Sequence, residues 1–316
     1  MTNLNNAPSL DVWAGKIFSS GWITSSGGTE PVIEKATGKV LGTSGVASAE
    51  DVRIAASAAH DEQPIWAAWT GPARGNVLRE MSRLILVHRD WIEEMLIRET
   101  GSIRLKAQWE VEVVAREILE AASLGSHPYG ILAATAELGR TSVARRIPVG
   151  VVGIITPWNS PFILGARAIG PALALGNTVI LKPDIQSPFV GGFIFAHLLE
   201  LAGLPKGVFH VLPGAAETGA AIVAEPLIDM ISFTGSTKVG RQIGSVAGGM
   251  LKRVSLELGG NNPFIVLEDA DIGGCVLPSG ADLPHRRAAH RSRERRRPVC
   301  RGACPPCQGV SHRRPD

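Results

Sequence analysis

The chain has 316 residues, of which 45% are hydrophobic, enough to bury a large core in one or two domains. The N-terminus lacks a basic start followed by an apolar run, and no apolar stretch reaches the roughly 18 residues of a membrane span, so neither a signal peptide nor a span is indicated. The net charge of +3 is uneven, because residues 273–316 hold 10 Arg against 3 acidic residues and the rest has 22 basic against 26 acidic residues. All four cysteines also lie after residue 273, which argues against a disulfide framework in the body. We therefore expect a cytoplasmic protein with a mildly acidic body and an anomalous basic tail.

The first recognisable segments along the chain are helical. Residues 48–69 form an amphipathic pattern with Ser48 as the predicted N-cap and Asp51 three residues later. Residues 73–98 hold apolar side chains at helical spacing, and residues 105–124 predict a third helix. This helical opening carries no obvious chemistry.

The pattern then changes to short β-branched runs that alternate with helix-length segments. The predicted strands are 149–156, 177–183, 207–214, 229–235 and 262–269, and the predicted helices are 161–175, 187–203, 215–225 and 236–247. Apolar strands that alternate with helices predict an α/β fold in which a doubly wound parallel sheet is covered on both faces. Such sheets bind ligands at the carboxyl ends of their strands, and four polar motifs are expected to lie at such ends here.

The first motif is TPWNSPF, residues 156–162, in which two prolines flank an asparagine at a strand-to-helix turn. A turn needs such residues for purely structural reasons. The functional alternative is that the side-chain amide of Asn159 donates a hydrogen bond to a developing oxyanion.

The second and third motifs suggest contacts to a nucleotide. Lys182 leaves a predicted buried strand, where it could bind ribose hydroxyls or could simply be a solvated lysine at the end of an element. Residues 233–240, FTGSTKVG, run from a strand through a Gly-Ser-Thr turn into a helix. Free N–H groups at such a helix start suit a dinucleotide pyrophosphate, although the motif is not the GxGxxG fingerprint.

The fourth motif is LELGGNN, residues 256–262, in which Glu257 stands in an apolar stretch before two glycines. Burial at such a place would raise the pKa of a carboxyl group and suit it to act as a general base. The alternative is a structural glutamate in a salt bridge.

In this order and spacing, PWNSPF, GNTVILKP, FTGSTKVG and LELGGNNPFIVLEDAD resemble the aldehyde dehydrogenase superfamily from about residue 10 to Asp271, and Glu99-Thr100-Gly101 fits its helical region. The resemblance implies a Rossmann-like cofactor domain with N-terminal helices, spanning residues 1–271, from which the catalytic domain is largely missing. Residues 272–316 would then be an anomalous tail, expected to be disordered. Residues 139–150 resemble the first part of the family's oligomerisation hairpin, whose return strand comes from the lost C-terminus, so the intact family member is expected to be a homo-oligomer.

The resemblance also implies roles for the motif residues. Asn159 matches the oxyanion-stabilising asparagine and Glu257 the general base. The expected contacts to NAD or NADP are Lys182 at the adenosine ribose, Gly235 and Ser236 at the pyrophosphate, Trp158 beside the cofactor, and also Ile155, Thr156, Pro157, Gly214, Phe233, Thr234, Leu258 and Gly259. The expected substrate is an aldehyde, of the aryl type judged from KPDIQSP and the following Gly191-Gly192, and neither a nucleic acid nor a membrane partner is expected.

One cofactor position departs from the pattern of NAD-preferring relatives. These often carry a glutamate three residues after the ribose-binding lysine, and Ile185 stands there in this chain. Because no carboxylate would repel a 2′-phosphate, the resemblance predicts weak discrimination between NAD and NADP.

The nucleophile that this chemistry requires is not found in its usual context. In the family a cysteine thiolate attacks the aldehyde, and the resulting thiohemiacetal passes hydride to the nicotinamide. The stretch from Cys275 to Arg287 has no cysteine at the equivalent place. The chain is therefore expected to be inactive, and the alternative function is a non-catalytic dinucleotide-binding protein with a basic interaction tail.

A frameshift near Asp271–Gly274 would explain the tail, which is rich in Arg, Pro, His and Cys. Codons for residues 279–284 can be chosen so that the next frame reads Gln-Gly-Gln-Ile-Cys, and those for 288–299 so that it reads Arg-His-Ile-Val-His-Glu-Ser-Val-Ala-Asp-Arg-Tyr. Both readings are family-like. Resequencing of codons 268–285 tests this hypothesis.

Two other interpretations of the tail remain open. The loose spacing of Cys300, Cys304 and Cys307, with His290 or His312 nearby, could form a zinc site. The run from Arg293 to Arg297 could contact phosphates of a nucleic acid, although a disordered charged run is the simpler interpretation.

Overall fold

The computed structural model describes residues 8–127, 130–260, 264–266 and 289–291, which fall in two compact units, Met1–Gly259 and Gly260–Asp316. The strands of the first unit are β1 (Lys16–Ser19), β2 (Trp22–Thr24), β3 (Thr29–Ile33), β4 (Val40–Gly45), β5 (Gly130–Ala133), β6 (Ser142–Arg145), β7 (Val151–Ile155), β8 (Thr178–Lys182), β9 (Phe209–Val211), β10 (Met230–Gly235) and β11 (Arg253–Leu258). Its α-helices are α1 (Ala49–Ala68), α2 (Gly71–Val87), α3 (Arg89–Thr100), α4 (Arg104–Leu124), α5 (Pro161–Ala174), α6 (Ile194–Leu201), α7 (Ala216–Ala224) and α8 (Thr237–Gly249). A 3-10 turn covers Leu10–Trp13, and a π-helical turn, Phe189–Phe193, leads into α6.

The centre of the first unit is a seven-stranded sheet in the order β11-β10-β7-β8-β9-β1-β2. The five strands from β11 to β9 are parallel, whereas β1 and β2 are antiparallel to their neighbours. The predicted doubly wound parallel sheet is therefore confirmed, although β11, one of these five strands, was not predicted. The two antiparallel strands and the hairpin of β3 with β4 were not predicted.

Helices cover both faces of this sheet, and the alternation of side chains along β7 explains why. Val152 and Ile154 point into one core, which also holds residues of α2 to α6. Val151 and Ile155 point into a second core with residues of α1, α7 and α8. Each fully buried Val, Leu or Ile contributes roughly 1.5–3 kcal/mol to folding, so burial on both faces favours the continuous apolar runs of β7 and β8.

The N-terminal helices follow the sequence prediction in part. Helix α1 begins at the predicted N-cap Ser48, whose hydroxyl accepts from the Asp51 N–H while the Asp51 carboxylate accepts from the Ser48 N–H, which completes a capping box. Helix α4 matches the segment 105–124. The single helix predicted over 73–98 is wrong, because His88 ends α2 and starts α3 with a non-helical ψ of 16°. The segment 187–203 is likewise not one α-helix, since it begins with the π-helical turn.

Residues 139–150 contain β6, which pairs in antiparallel register with the preceding strand β5. A return strand from beyond the described residues stays a prediction. The two strands expose apolar side chains, including Leu132 and Val143, which face each other in the register.

The second unit contains two described strands, β12 (Phe264–Val266) and β13 (Ala289–Arg291), which pair in parallel. The strand predicted over 262–269 thus pairs with a segment of the tail, for which no strand was expected. The proposed frameshift region, the four cysteines and the Arg293–Arg297 run lie outside the described residues. Among the residues that the structure describes, no helix is long and apolar enough to cross a membrane.

Candidate cofactor and active site

The sheet register brings the four motifs to one edge. Lys182 at the end of β8 is the partner of Ile155 at the end of β7, and Ile155 is the partner of Phe233 on β10. On the far side of β10, Thr234 and Gly235 pair with Glu257 and Leu258 of β11. The residues that follow these strands therefore meet at the carboxyl edge of the parallel sheet, where such folds bind ligands.

The turn after β7 places a buried hydroxyl and an accessible amide at this edge. Thr156 is buried and its N–H donates to the Lys182 carbonyl at 3.2 Å, but its Oγ1 has no hydrogen-bond partner among the described residues. Pro157 and Asn159 are half-buried and Trp158 is exposed. The carbonyl of Asn159 is fixed by Lys106, at 3.1 Å from its Nζ, whereas the side-chain amide of Asn159 makes no hydrogen bond within the described part of the chain. This amide is thus available to a ligand.

Lys182 is buried rather than solvated, which excludes the alternative of a surface lysine at a strand end. Its Nζ lies 3.3 Å from the carbonyl oxygen of Pro183, and its exposed fraction is 7%. Burial lowers the pKa of Lys182, and Asp184 opposes that shift. Gly219 of α7 lies over the side chain, where a Cβ would stand 3.5 Å from Cε. Within the described part of the chain this ammonium group has one carbonyl partner, and burying it so is costly, which is typical of a site that a ligand completes.

The start of α8 offers backbone donors at the same edge. Ser236 is the N-cap, and its hydroxyl accepts from the Val239 N–H at 3.3 Å. Two positions near the strand ends leave no room for a side chain: a Cβ on Gly235 would lie 2.5 Å from Cζ of Phe233, and one on Gly214 would overlap the Thr218 side chain. The positive end of the helix dipole favours an anion here.

Glu257 does not have the environment that the sequence suggested. It lies on β11 beside Thr234, but it is exposed, as are Arg253 and Val254 on the same strand. The expectation of a carboxyl group held in an apolar environment is therefore wrong for the described residues, and no ion pair of Glu257 occurs among them. Leu258 is half-buried and Gly259 is exposed after the strand ends.

The structure adds charged residues that the sequence analysis did not find. Lys106 and Glu110 of α4 form a buried ion pair, 3.0 Å from Nζ to Oε2, and both contact the segment that carries Asn159. Glu99 is fully buried and accepts from the N–H groups of Phe189 and Val190 at 2.9 and 2.7 Å. Burial raises the pKa of Glu99 to about 8, and these two donors oppose the rise. A signal existed for Glu110, since it falls between Ala107 and Val111 on the apolar stripe of its helix.

The residues present fit a nicotinamide dinucleotide. The unpartnered Thr156 hydroxyl, the under-coordinated Lys182 ammonium and the N–H groups at the start of α8 supply donors to hydroxyls and phosphates along one edge. A metal site is not built in this part of the chain, because the described residues contain no group of three or more His, Cys, Asp or Glu that could hold an ion.

Comparison with known proteins supports this assignment. A sequence profile of the aldehyde dehydrogenase family matches residues 22–276. An NAD(+) benzaldehyde dehydrogenase of Pseudomonas putida is 44% identical over 90% of this chain and 61% of its own length, and a vanillin dehydrogenase of an Amycolatopsis strain is 49% identical over 82% of this chain and 53% of its own. The chain thus spans between half and two thirds of these curated relatives.

Solved structures agree with these sequence matches. The crystal structure of an NAD-dependent benzaldehyde dehydrogenase from Corynebacterium glutamicum superposes with a TM-score of 0.77 and 39% identity, covering 82% of this chain and 57% of the other. The structure of an NADP-dependent enzyme of Escherichia coli gives a TM-score of 0.79 and 35% identity over 85% of this chain. The edge geometry, the profile and these relatives agree, and the chain belongs to the aldehyde dehydrogenase family.

Proposed function

We propose that residues 1–271 are the cofactor-binding portion of an enzyme that oxidises an aldehyde to the carboxylic acid with NAD or NADP. The observation that carries this proposal is the convergence of Thr156, Lys182 and the start of α8 at one sheet edge. Among the described residues, the Thr156 hydroxyl has no hydrogen-bond partner and the Lys182 ammonium has one carbonyl partner. Family membership supports the same reaction.

Each residue at the edge receives a role from its position. Lys182 would bind ribose hydroxyls, and the N–H groups that follow Ser236 would bind the pyrophosphate. The side-chain amide of Asn159 would donate to the substrate oxygen as negative charge develops on it, and Glu257 would take a proton from the water that releases the acid. The nicotinamide, when bound, accepts the hydride. Trp158, exposed beside Asn159, would then limit the access of water to the reacting atoms.

The exposed position of Glu257 is compatible with a base that must reach water. Glu257 lies on β11, the neighbour of β10, and β10 ends at Gly235 directly before the proposed pyrophosphate site at the start of α8. An exposed carboxylate at this place is solvated by water, so it needs no salt bridge to stabilise its charge.

The proposal includes the loss of activity in this 316-residue chain, since no cysteine stands in the family's context. The test is NADH formation with an aromatic aldehyde by the purified chain, and no turnover is expected. Turnover that disappears in Cys275→Ser would contradict the proposed loss, because a tail cysteine would then replace the missing nucleophile. Saturable nucleotide binding without turnover is also the result expected of the alternative function, a non-catalytic dinucleotide-binding protein. DNA sequencing separates the two, because a family-like sequence in the adjacent reading frame after codon 271 would exclude the alternative.

An aromatic aldehyde is the proposed substrate of the intact enzyme. Two relatives at 44% and 49% identity are named for benzaldehyde and vanillin. The family's semialdehyde dehydrogenases match at lower identity, 36% for a succinate-semialdehyde enzyme of Escherichia coli. A frame-restored enzyme that prefers succinate semialdehyde to benzaldehyde in kcat/KM would contradict this choice.

We further propose weak discrimination between the two cofactors. Ile185, half-buried after Lys182, offers no carboxylate to repel a 2′-phosphate. Relatives of both kinds are named, the P. putida enzyme for NAD(+) and the E. coli succinate-semialdehyde enzyme for NADP(+). Similar dissociation constants for NAD and NADP are expected of this chain, and a 100-fold preference of the frame-restored enzyme for NAD in kcat/KM would contradict the proposal. A cytoplasmic location and a homo-oligomeric state also remain proposals.

A further inference from the structure

The ammonium group of Lys106 is held at three points. Its Nζ lies 3.0 Å from Oε2 of Glu110, 3.1 Å from Oγ of Ser102 and 3.1 Å from the carbonyl oxygen of Asn159. Ser102 is in turn hydrogen-bonded to Thr100 at 2.7 Å. All three ammonium protons therefore have an acceptor, and one of these acceptors belongs to the turn after β7.

The carboxylate of Glu110 holds the other side of the same turn. Its Oε1 accepts from the N–H groups of Phe162 and Ile163 at 3.1 and 3.3 Å, which are among the first donors of α5. Ser160, the residue at the N-cap position, makes no side-chain cap. A glutamate from another helix thus supplies the cap, where the helix dipole favours its negative charge.

A buried ion pair is a costly way to stabilise a fold. The Lys106 side chain is 9% exposed and that of Glu110 is fully buried, whereas the pair of Glu112 and Arg116 on the same helix has the same i,i+4 spacing and is exposed. Buried pairs are often replaceable by apolar residues without loss of stability. The position of this pair, between α4 and the turn, suggests a purpose other than stability.

We propose that Lys106 and Glu110 are positioning residues that fix the turn of Pro157 to Ser160, and with it the Asn159 side chain, at the edge of the sheet. Lys106 anchors the turn through the Asn159 carbonyl, and Glu110 anchors it through the start of α5. The amide of Asn159 then needs no further ordering when a substrate oxygen arrives, which is the requirement for stabilising a developing charge. This inference rests on the proposed role of Asn159.

The test separates the two anchors in the full chain. Lys106→Met alone leaves a buried, unpaired carboxylate and is expected to unfold at a lower temperature, or to fail to fold. In Lys106→Met/Glu110→Gln, the neutral amide that replaces the carboxylate still has an oxygen that can accept from Phe162 and Ile163, so Tm is expected to recover most of the loss. The anchor on the Asn159 carbonyl is nevertheless gone.

The readout is an NMR signal that belongs to this turn. Asn159-Ser160 is the sole Asn-Ser pair in the chain, so labelling Asn with carbonyl ¹³C and Ser with ¹⁵N gives one cross peak in a carbonyl-to-amide correlation spectrum. In the double variant the Asn159 carbonyl shift is expected to change and the Ser160 heteronuclear NOE to fall. Arg116→Met/Glu112→Gln removes the exposed pair of equal spacing and is expected to leave the peak unchanged.

An unchanged Asn159 carbonyl shift and Ser160 NOE in the double variant, at a recovered Tm, would overturn the inference. A double variant whose Tm stays as low as that of Lys106→Met would also overturn it, because the pair would then be required for stability. The measurement needs no nucleotide. A parent chain that binds neither NAD nor NADP would therefore contradict the proposed function and leave this inference standing.

Discussion

A buried polar residue costs little stability where its polar atoms form hydrogen bonds. His210 of β9 is an example, because its Nδ1 lies 2.9 Å from the Ser19 hydroxyl and its Nε2 lies 3.0 Å from the Gly207 carbonyl. A neutral imidazole satisfies both contacts by accepting from the hydroxyl and donating to the carbonyl. Burial lowers the pKa of His210 to about 4, which keeps the ring neutral at physiological pH.

Stability should therefore fall as the pH falls from about 6.5 to 4. The folded chain holds His210 neutral over this range, whereas the unfolded chain has a histidine pKa of about 6.5 and binds more protons. The shift corresponds to about 3 kcal/mol of unfolding free energy lost by pH 4. Burial and the nearby His88 also lower the pKa of His197 to about 4, so His197 adds a similar loss of unfolding free energy on acidification.

Urea unfolding across this pH range tests the prediction with His210→Gln, which should have a smaller loss on acidification than the parent chain. His60→Gln serves as the control, since His60 is exposed. Equal slopes for His210→Gln and the parent would show that His210 does not carry this pH dependence.

At the scale of helices and strands, the sequence was informative where local chemistry decides the structure. Ser48 and Asp51 form a capping box that depends on neighbouring residues alone. The break at His88 could not be predicted, because apolar spacing continues from Leu84 across it to Ile92. Strand β11 was missed because its side chains are exposed or half-buried, so it lacks the apolar run that marked β7 and β8.

The candidate site likewise combines features that local sequence predicts with features that it does not. Three of its four motifs follow predicted strands, and the parallel topology was enough to bring these three to one edge. The fourth, with Glu257, lies on the unpredicted strand β11. The i,i+4 spacing of Lys106 and Glu110 is the same as that of Glu112 and Arg116, so spacing alone does not distinguish the two pairs. The position of Glu110 on the apolar stripe of α4 marks it as the buried carboxylate, but its contacts with the start of α5 depend on tertiary packing and could not be predicted.

Because α2 packs closely against the end of α4, one added methyl group at Gly71 is expected to destabilise the chain strongly. A Cβ on Gly71 would overlap the carbonyl oxygen of Gly125, because the two backbones are in direct contact there. Gly71→Ala should therefore destabilise the chain by several kcal/mol, on the order of the cost of overpacking a core or more. Thermal unfolding measures the loss.

Gly248→Ala is the matched control for this substitution. Gly248 also lies in a helix, α8, but a Cβ there would meet no atom within 4 Å. Its replacement should raise stability by up to about 1 kcal/mol, because alanine has the higher helix propensity. If Gly71→Ala were tolerated as well as Gly248→Ala, the close contact between α2 and α4 would be contradicted.

At the scale of the whole molecule, the hairpin of β5 and β6 presents apolar side chains that this chain does not cover in its described part. Leu132 and Val143 are 75% and 58% exposed and face each other across the hairpin. Large exposed apolar patches promote association. We therefore expect the purified chain to form oligomers or aggregates, and Leu132→Thr/Val143→Thr to shift it towards the monomer.

Size-exclusion chromatography with light scattering measures this shift. Val40→Thr removes an exposed apolar side chain from β4 instead, and should leave the mass distribution of the parent unchanged. A parent that is monomeric at all concentrations would contradict the prediction. So would a double variant with the same mass distribution as the parent.

Titration calorimetry with NAD and NADP tests whether the carboxyl edge of the sheet binds a nicotinamide dinucleotide. The parent chain should bind at least one of them saturably. Lys182→Met should weaken that binding about 10- to 100-fold, the value of a charge-assisted hydrogen bond, while folding is retained because the ammonium is buried at a cost. Lys39→Met, at an exposed position, should bind as the parent does. A folded parent that binds neither nucleotide, or a folded Lys182→Met with unchanged affinity, would contradict dinucleotide binding at this edge.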